Sequence, residues 1–479
     1  MSIPKTSSKA VMLGVLALAG CKVGPNYKAP AMPAPPAYSD NGHNGNWTEA
    51  KPADGVDRGA WWAIYNDEKL NALEQQCATA NQNIAAALHA YEQAHDLVRE
   101  NKASLYPTVS LGGFASRNRI SNTRPLLPAN AQHDYWDFLI PLNISWEPDL
   151  WGRIRRQIES SAANAQASAA NLANTRLSLQ GMLAVTYLQI RGIDLQTQLL
   201  RSTIDAFSEA LKLTEDRLTG GLASESDVEQ AKAQLEETRA QLIDLGVQRA
   251  QFEDAIAVLT GVPATGFHIA ELPLEGDPPS IPTGLPSELL QRRPDIATSE
   301  RLIASSNALI GVAKSAYYPS VVLGGNGGIE SSQVSNVFNA GSALWSAGPS
   351  VNEVLIDGGR RRAQVDFAIA QREQAAALYR QQVLSAFRDV EDQLAALRVL
   401  ADEATVQDRA VQAAKKSTEL SILRYKRGLA QYLEVLTNQT IELSDERAAA
   451  ALTARRIVAS AQLQIALGGG WDSAQLPKN

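Results

Sequence analysis

The sequence predicts a mainly α-helical chain with a small β part, arranged as a tandem repeat. Three observations carry this: where proline is missing, how apolar residues are spaced, and what recurs. The 479 residues include 22 prolines, yet none lies between Pro148 and Pro263, a gap of 114 residues, or between Pro349 and Pro477, a gap of 127. Proline breaks a helix interior at a cost of about 3 kcal/mol, so each gap reads as a long helical region. Tyr379, Val383, Phe387, Val390, Leu394, Leu397 and Leu400 take six steps over 21 residues, and Leu179, Leu183, Tyr187, Ile190 and Ile193 keep the same mean step of 3.5. That heptad period turns one seam towards neighbouring helices in a left-handed coiled coil. Ile154 to Leu218 is 65 residues, about 98 Å of helix at 1.5 Å per residue, longer than a compact domain requires.

The N-terminus reads as an address. Lys5 and Lys9 precede an apolar run from Ala10 to Ala19, and Leu18-Ala19-Gly20-Cys21 comes next. A run of about ten residues is too short to span a bilayer but fits a signal-peptide core. Small residues followed at once by cysteine resemble the bacterial lipoprotein box. That resemblance implies cleavage before Cys21, three acyl chains on it, and, with Lys22 rather than aspartate next, sorting to the outer membrane. An ordinary secretory signal with an incidental cysteine is the plainer alternative. No later stretch reaches 18 consecutive apolar residues, so a membrane crossing by the mature chain requires a closed β-barrel.

The chain is written twice. Asn83-Ile84 opens a helical stretch ending in Leu105-Tyr106-Pro107-Thr108-Val109-Ser110-Leu111-Gly112-Gly113; Asp295-Ile296 opens one ending in Tyr317-Tyr318-Pro319-Ser320-Val321-Val322-Leu323-Gly324-Gly325. The offset is 212. Gly152-Arg153 answers Gly359-Arg360, Gly221-Leu222-Ala223 answers Gly428-Leu429-Ala430, and Gly261 answers Gly468, all at 207. The expected organisation is a signal peptide at 1–20, an extended lipid-anchored strap at 21–62, a first repeat at 63–262, an equatorial linker at 263–290, a second repeat at 291–468 and a tail at 469–479. Each repeat reads as helix (67–104 in the first), strand pair, long helix, turn, helix (225–260 in the first). The first and last helices are expected to stack beside the long one.

The strands alternate. Trp136, Phe138, Ile140, Leu142, Ile144 and Trp146 share one face, with a more polar face between them. An 11-residue alternation with tryptophan at both ends suits a lipid-facing barrel strand whose aromatic ends sit at the interfaces. Its partner runs from Thr108 to about Ser116. In the second repeat Val321, Leu323 and Ile329 share a face and Trp345 starts the last strand, whose alternation is poor. Any one of these alone would equally suit a soluble hairpin. Four strands cannot close a transmembrane barrel, for which about eight is the minimum. Two chains supply eight, an interior filled by side chains; three supply twelve and leave a lumen. A conduit therefore predicts at least a trimer, with the long helices forming a second tube that folds back at Gly220-Gly221 and near Gly428.

Composition excludes other classes. A net charge of −7 argues against a nucleic-acid-binding surface. The two cysteines, Cys21 and Cys77, exclude a disulfide scaffold. The five histidines lack metal-ligand spacing, and no His-Glu-x-x-His, Cys-x-x-Cys or P-loop occurs. Neither an enzyme nor a cofactor is expected.

Several blocks resemble the RND-type efflux outer-membrane lipoproteins of the TolC superfamily. They are Cys21-Lys22-Val23-Gly24-Pro25-Asn26-Tyr27; Trp61-Trp62 with Tyr65, Asp67, Leu70 and Leu73; Gly284-Leu285-Pro286-Ser287; Leu289-Leu290-Gln291-Arg292-Arg293-Pro294-Asp295-Ile296; and Asp357-Gly358-Gly359-Arg360. The resemblance implies a homotrimeric tunnel, a 12-stranded outer-membrane barrel over a long periplasmic α-barrel. It passes drugs, metals or other toxic solutes outward. Its implied partners are an inner-membrane pump, a periplasmic adaptor and outer-membrane lipid. A protein-secretion tunnel and a non-channel periplasmic coiled-coil lipoprotein are the competing readings.

The resemblance also assigns roles. The turns at Gly220, Gly221, Leu222 and Ala223, and at Gly428, Leu429 and Ala430, match the periplasmic tips on which the adaptor packs, with Leu222 and Leu429 as apolar knobs; simple helix capping is the alternative. Leu433 matches a leucine ring that narrows the closed tunnel. One turn on, where well-known relatives carry an aspartate ring, stands Thr437, with Glu434 nearby. Arg424, Tyr425 and Lys426 could latch the tip shut against acidic groups such as Asp227 or Glu225 of a neighbouring helix. Trp136, Trp146 and Trp345 form the expected aromatic belt. Arg153, Arg155 and Arg156, with Arg360, Arg361 and Arg362, could meet lipid headgroups at the barrel rim, or simply begin solvated helices. Cys77 reads as an ordinary buried thiol.

Overall fold

The computed structural model describes residues 22–32, 38, 60–123, 125, 132–274, 276–279, 281, 289–471 and 473–477. The signal peptide, Cys21, most of the strap and Gly284-Leu285-Pro286-Ser287 lie outside these residues. The first repeat comprises α1 (Glu68–Ala80), α2 (Gln82–Ala103), β1 (Thr108–Leu111), β2 (Phe114–Arg119), β3 (Asp134–Trp146), α3 (Arg153–Thr219) and α4 (Glu225–Leu259). The second comprises α5 (Leu289–Arg292), α6 (Pro294–Ser315), β4 (Ser320–Ser331), β5 (Ala343–Asn352), α7 (Arg360–Lys426) and α8 (Tyr432–Ala466).

The strands form one antiparallel sheet. β3 pairs with β1 and β2 on one edge and with β4 on the other, and β4 pairs with β5. The register of β1 against β3 (Leu111 opposite Leu142) continues unbroken into β2 (Phe114 opposite Leu139). β1 and β2 are thus one strand path with a local interruption, and the chain supplies four paths. The interruption faces Pro141. Gly112 still donates its N–H to the Pro141 carbonyl at 2.9 Å, but Pro141 has no N–H to return. On the other side Gly328 lies opposite Pro141, and a Cβ there would stand 2.3 Å from the Ile140 carbonyl oxygen. The glycine run of β4 is therefore a close-packing device at Gly328.

The register sorts the faces. Val109, Leu111, the six apolar residues of β3, Leu323 and Ile329 share one face with Ala343, Trp345, Ala347, Pro349 and Val351 of β5. The last strand alternates after all, carried by alanine and proline rather than by large residues. The opposite face includes Ser110, Asn118, Asp137, Asn143, Asn326, Glu330, Ser346 and Ser350.

α3 and α7 are each 67 residues long, roughly 100 Å. The expected helix at 67–104 is two helices. Asn81 is extended and caps α2, its side chain accepting from Asn83 and Ile84, while its amide donates to the Leu259 carbonyl at 2.8 Å. α2 and α4 therefore meet end to end beside α3. α1 leaves that line and lies across the middle of α3 and onto α8: Trp61, Trp62, Leu70, Leu73 and Cys77 bury against Leu183, Tyr187, Ile190, Ile457 and Ala461. In the second repeat the break falls at Arg293, 212 residues after Asn81, with Pro294 at the first helical position.

The ends of α4 and α8 close these joints. Gly261 (φ 72°) and Gly468 (φ 93°) are left-handed. Each motif has a four- and a six-residue reverse bond, Gly261 to Val258 and Val262 to Ala257, Gly468 to Ile465 and Gly469 to Gln464. A Cβ would stand 2.5 Å from the Ala80 carbonyl at Gly261 and 2.0 Å from the Arg292 carbonyl at Gly468. Ala80 and Arg292 are again 212 apart, so both offsets converge on one joint per repeat.

A buried ionic cluster fastens the start of the linker to the first joint. Arg249 donates to Asp194 (2.8 Å), Glu253 (2.6 Å) and the Ile269 carbonyl (2.6 Å). Arg191 donates to Asp194 and the Ala270 carbonyl, and Asp194 accepts from the Leu272 N–H. Each of these charges has a partner, as burial demands.

Candidate gate, tips and membrane rim

Both hairpins of long helices end in the same backbone device. At the first tip Gly221 (φ 73°) donates to Leu218 and Leu222 donates to Arg217; at the second, Gly428 (φ 73°) donates to Tyr425 and Leu429 to Arg424. These are Schellman turns, which need a left-handed residue that glycine adopts freely. No atom lies within 4 Å of a Cβ built at either glycine. Gly220 is right-handed (φ −77°) and caps the C-terminus of α3. The turn geometry leaves Leu222 and Leu429 exposed at the ends of the hairpins, beside Ala223 and Ala430.

Beyond the glycine turns the two tips differ. Ser224 caps α4 in a reciprocal box: Asp227 donates its N–H to the serine hydroxyl (3.2 Å), and the Asp227 carboxylate accepts the Ser224 N–H (2.9 Å). Asp227 is thus engaged within its own chain. The aligned residues of the second tip are Gln431, which makes no side-chain cap, and Glu434, whose carboxylate accepts from Arg424 at 2.7 Å. That pair is largely solvent-exposed, worth about 0–1 kcal/mol. Tyr425 is buried against Ala231, Tyr432 and Val435, with its ring edge-on to Tyr432 at 5.6 Å.

Sequence reasoning left two residues here without a role, Arg217 of the first tip block and Tyr432. Arg217 lays its guanidinium over the Tyr425 ring (4.5 Å) and donates to the Lys426 carbonyl (3.3 Å), joining the two tips within one chain. Tyr432 is the other wall of the Tyr425 site. The signal was present: Arg217 stands 207 residues before Arg424.

Leu433 is exposed on α8, and the Thr437 hydroxyl donates back to its carbonyl at 2.8 Å. Gly428, Leu429, Ala430, Leu433, Glu434 and Thr437 line one open concavity of about 700 Å³. The expected gate residues and the second tip thus share a surface; Asp227 and the first tip lie outside it.

At the other end Trp136 stacks on Phe138 (5.6 Å) and lies under Arg117. Trp146 donates its indole N–H to the Leu105 carbonyl at 2.9 Å, tying the strand to the end of α2. Trp345 is exposed on the same face, paired with Gly327 and level in register with Leu142, between the other two tryptophans. The rim arginines are mostly engaged. Arg153 pairs with Glu147, Arg155 with Asp149, and Arg361 with Asp357. Arg156 is buried, donating to the Val23 and Gly24 carbonyls, the Asn26 side chain and Glu159. It anchors the strap rather than lipid; Arg360 and Arg362 remain solvent-exposed. Cys77 is fully buried, and burial pushes its thiol up to about 12, which leaves it unreactive.

An amphipathic four-path sheet running into paired helices of about 100 Å defines a subunit of a membrane-crossing tube. Residues 73–262 and 285–469 match the family model described as outer membrane efflux protein, and the chain belongs to that family. It is 29% identical over 466 residues to the solvent efflux pump outer membrane protein SrpC of Pseudomonas putida, covering 97% of this chain and 98% of SrpC. It is 28% identical over 463 residues to the cation efflux system protein CusC of Escherichia coli, covering 95% and 97%. The outer-membrane channel OprN superposes with a TM-score of 0.87 at 28% identity, covering 94% of this chain and all of OprN. The protein is an outer-membrane efflux channel with a periplasmic helical extension.

Proposed function

We propose that three copies of this chain close a 12-stranded barrel and a continuous helical tunnel, through which an inner-membrane RND-type pump and its periplasmic adaptor discharge small toxic solutes. The observation that carries this is the registered sheet, apolar on one face and polar on the other, joined to helices that reach some 100 Å from it. The chain acts as a passive conduit, without a catalytic step or cofactor of its own. The relatives are named for solvents and cations in turn, in keeping with a conduit whose cargo is chosen by the pump.

In this reading residues 1–20 are removed, Cys21 is acylated, and residues 21–62 strap the outside of the tube. The two repeats, 63–262 and 291–468, are joined by the linker 263–290, with 469–479 as the tail. Leu433 and Thr437 line the narrowed periplasmic end, and Arg424 with Glu434 holds the second tip in its resting position. The adaptor packs on Leu222 and Leu429. Trp136, Trp146 and Trp345 contact the membrane. Purified protein in planar bilayers tests the whole: a trimer with stable ion conductance is expected, and a silent or monomeric protein would overturn it.

A further inference from the structure

One groove has no place in the conduit mechanism. It lies between α2 and α3, has a volume of about 530 Å³, and is lined by the apolar Val98, Leu105, Ile158, Ala162 and Ala165 together with Tyr91, His95, Tyr106, Gln166 and Pro477 of the tail. That volume falls within the range of roughly 300–1,000 Å³ typical of small-molecule sites. Its upper end is fixed to the membrane rim, because the Leu105 carbonyl accepts the Trp146 indole at the end of β3. Its mouth is lined by cationic side chains, Lys22, Lys102 and Arg155, with Glu159 beside them. Lys22 pairs with Glu159 at 3.6 Å.

The chain at the mouth is held in place. Val23 donates to the Trp151 carbonyl at 3.1 Å, and the buried Arg156 takes the carbonyls of Val23 and Gly24 and the side chain of Asn26. Gly24 packs so closely on α6 that a Cβ would stand 2.5 Å from Gly311 Cα. Lys22 is thereby held against the helices, and the residue covalently before it in the sequence is Cys21. The attachment point for a lipid is thus one residue along the chain from a side chain that lines this groove.

We propose that this groove seats one of the fatty acyl chains attached to Cys21. The chain's methylenes lie along Val98, Leu105, Ile158 and the two alanines, whose small side chains leave the width. The carbonyl at its head accepts hydrogen bonds from the cationic mouth. The remaining acyl chains enter the bilayer just above. The lipid then serves as a pin between α2 and α3 where the sheet gives way to the helices, as well as an anchor. This rests on the reading of Cys21 as a lipidated residue, and the test separates the two.

The experiment uses full-length protein purified from outer membranes, with a benzophenone amino acid at position 158 (Ile158→benzoylphenylalanine) and, as control, at exposed Leu97. Intact mass first reports whether Cys21 carries acyl chains. After irradiation and trypsin, a Cys21-Lys22 lipopeptide joined to the peptide containing position 158, and not to that containing position 97, is expected. A correct acylated mass with no such product, or with free phospholipid joined at 158 instead, overturns the proposal while leaving lipidation standing. An unacylated mass overturns both. A second measurement avoids the bulky substitution. Amide exchange across residues 91–105 is compared between the native protein and Cys21→Ser exported behind an ordinary signal. About tenfold faster exchange is expected without the lipid; unchanged exchange overturns the proposal.

Discussion

The two ends of the α4 and α8 hairpins use one turn for opposite purposes. At the joints, Gly261 and Gly468 close Schellman turns against a neighbouring carbonyl, 2.5 and 2.0 Å from where a Cβ would stand. At the tips, Gly221 and Gly428 close the same turn with nothing within 4 Å. Around the first joint lie a large apolar cluster and the buried, ion-paired Arg191–Asp194–Arg249–Glu253 cluster. Around the tips lie a capping box, one exposed ion pair and a few aromatic contacts. The same local geometry is thus over-determined at mid-length and barely held at the end, which puts cheap motion where a gate needs it. The second tip lacks the cap of the first, because Gln431 caps nothing where Ser224 does.

Substitutions can break this contrast. The largest effect is expected at the second joint. Gly468→Ala combines a left-handed backbone with a Cβ driven into the Arg292 carbonyl, and should cost several kcal/mol, against about 1 kcal/mol for Gly428→Ala. Thermal unfolding of both checks this, and equal losses would erase the distinction.

Next comes Glu74, fully buried near the same mid-length core with both carboxylate oxygens unpartnered. Burial pushes its carboxyl from 4.5 up to about 9. The folded state therefore keeps a proton that the unfolded chain releases. Below about pH 4.5 this group adds no pH dependence, and stability falls by up to about 1.4 kcal/mol per pH unit between there and about pH 9. Glu74→Gln should remove that slope and be the more stable protein at pH 8. Matched pH profiles of Tm decide it, parallel curves going against the assignment.

Smaller effects belong to the tips. Ser224→Ala removes one cap, about 1 kcal/mol, and should bring the first tip nearer to the second in amide exchange; no change would mean the box is incidental. Smallest in stability is Arg424→Glu, which breaks a pair worth about 0–1 kcal/mol and sets two acids together. Its readout is conductance: a higher open probability than wild type in planar bilayers is expected, and an unchanged one removes the pair from the gate.

Much of the architecture was legible in sequence because its determinants are local and periodic. Proline absence and heptad spacing mark helices wherever they pack. The alternation of β3 is unmistakable because its outward residues are large. Less was legible where a neighbour decides. β5 alternates with alanine and proline, which carry little hydropathy contrast, and only its pairing with β4 reveals the face. Asn81 interrupts a run of good helix formers because the end of α4 arrives to take its amide. Arg156 resembles Arg153 and Arg155 in sequence; the strap laid over it makes it a buried anchor. At the candidate gate, Leu433 was visible through resemblance and Glu434 as an acid beside it, while the contacts of Arg217 and Tyr432 with Tyr425 emerged only once the two tips met.

The sequence by itself determined that this chain is two copies of a long-helix unit carrying strands that cannot close alone, since periodicity and repetition are written residue by residue. The tertiary structure alone decided where the helices break, which arginines are buried, and which of four identical turns are locked. Those outcomes depend on groups far apart in the chain meeting at hydrogen-bond distance.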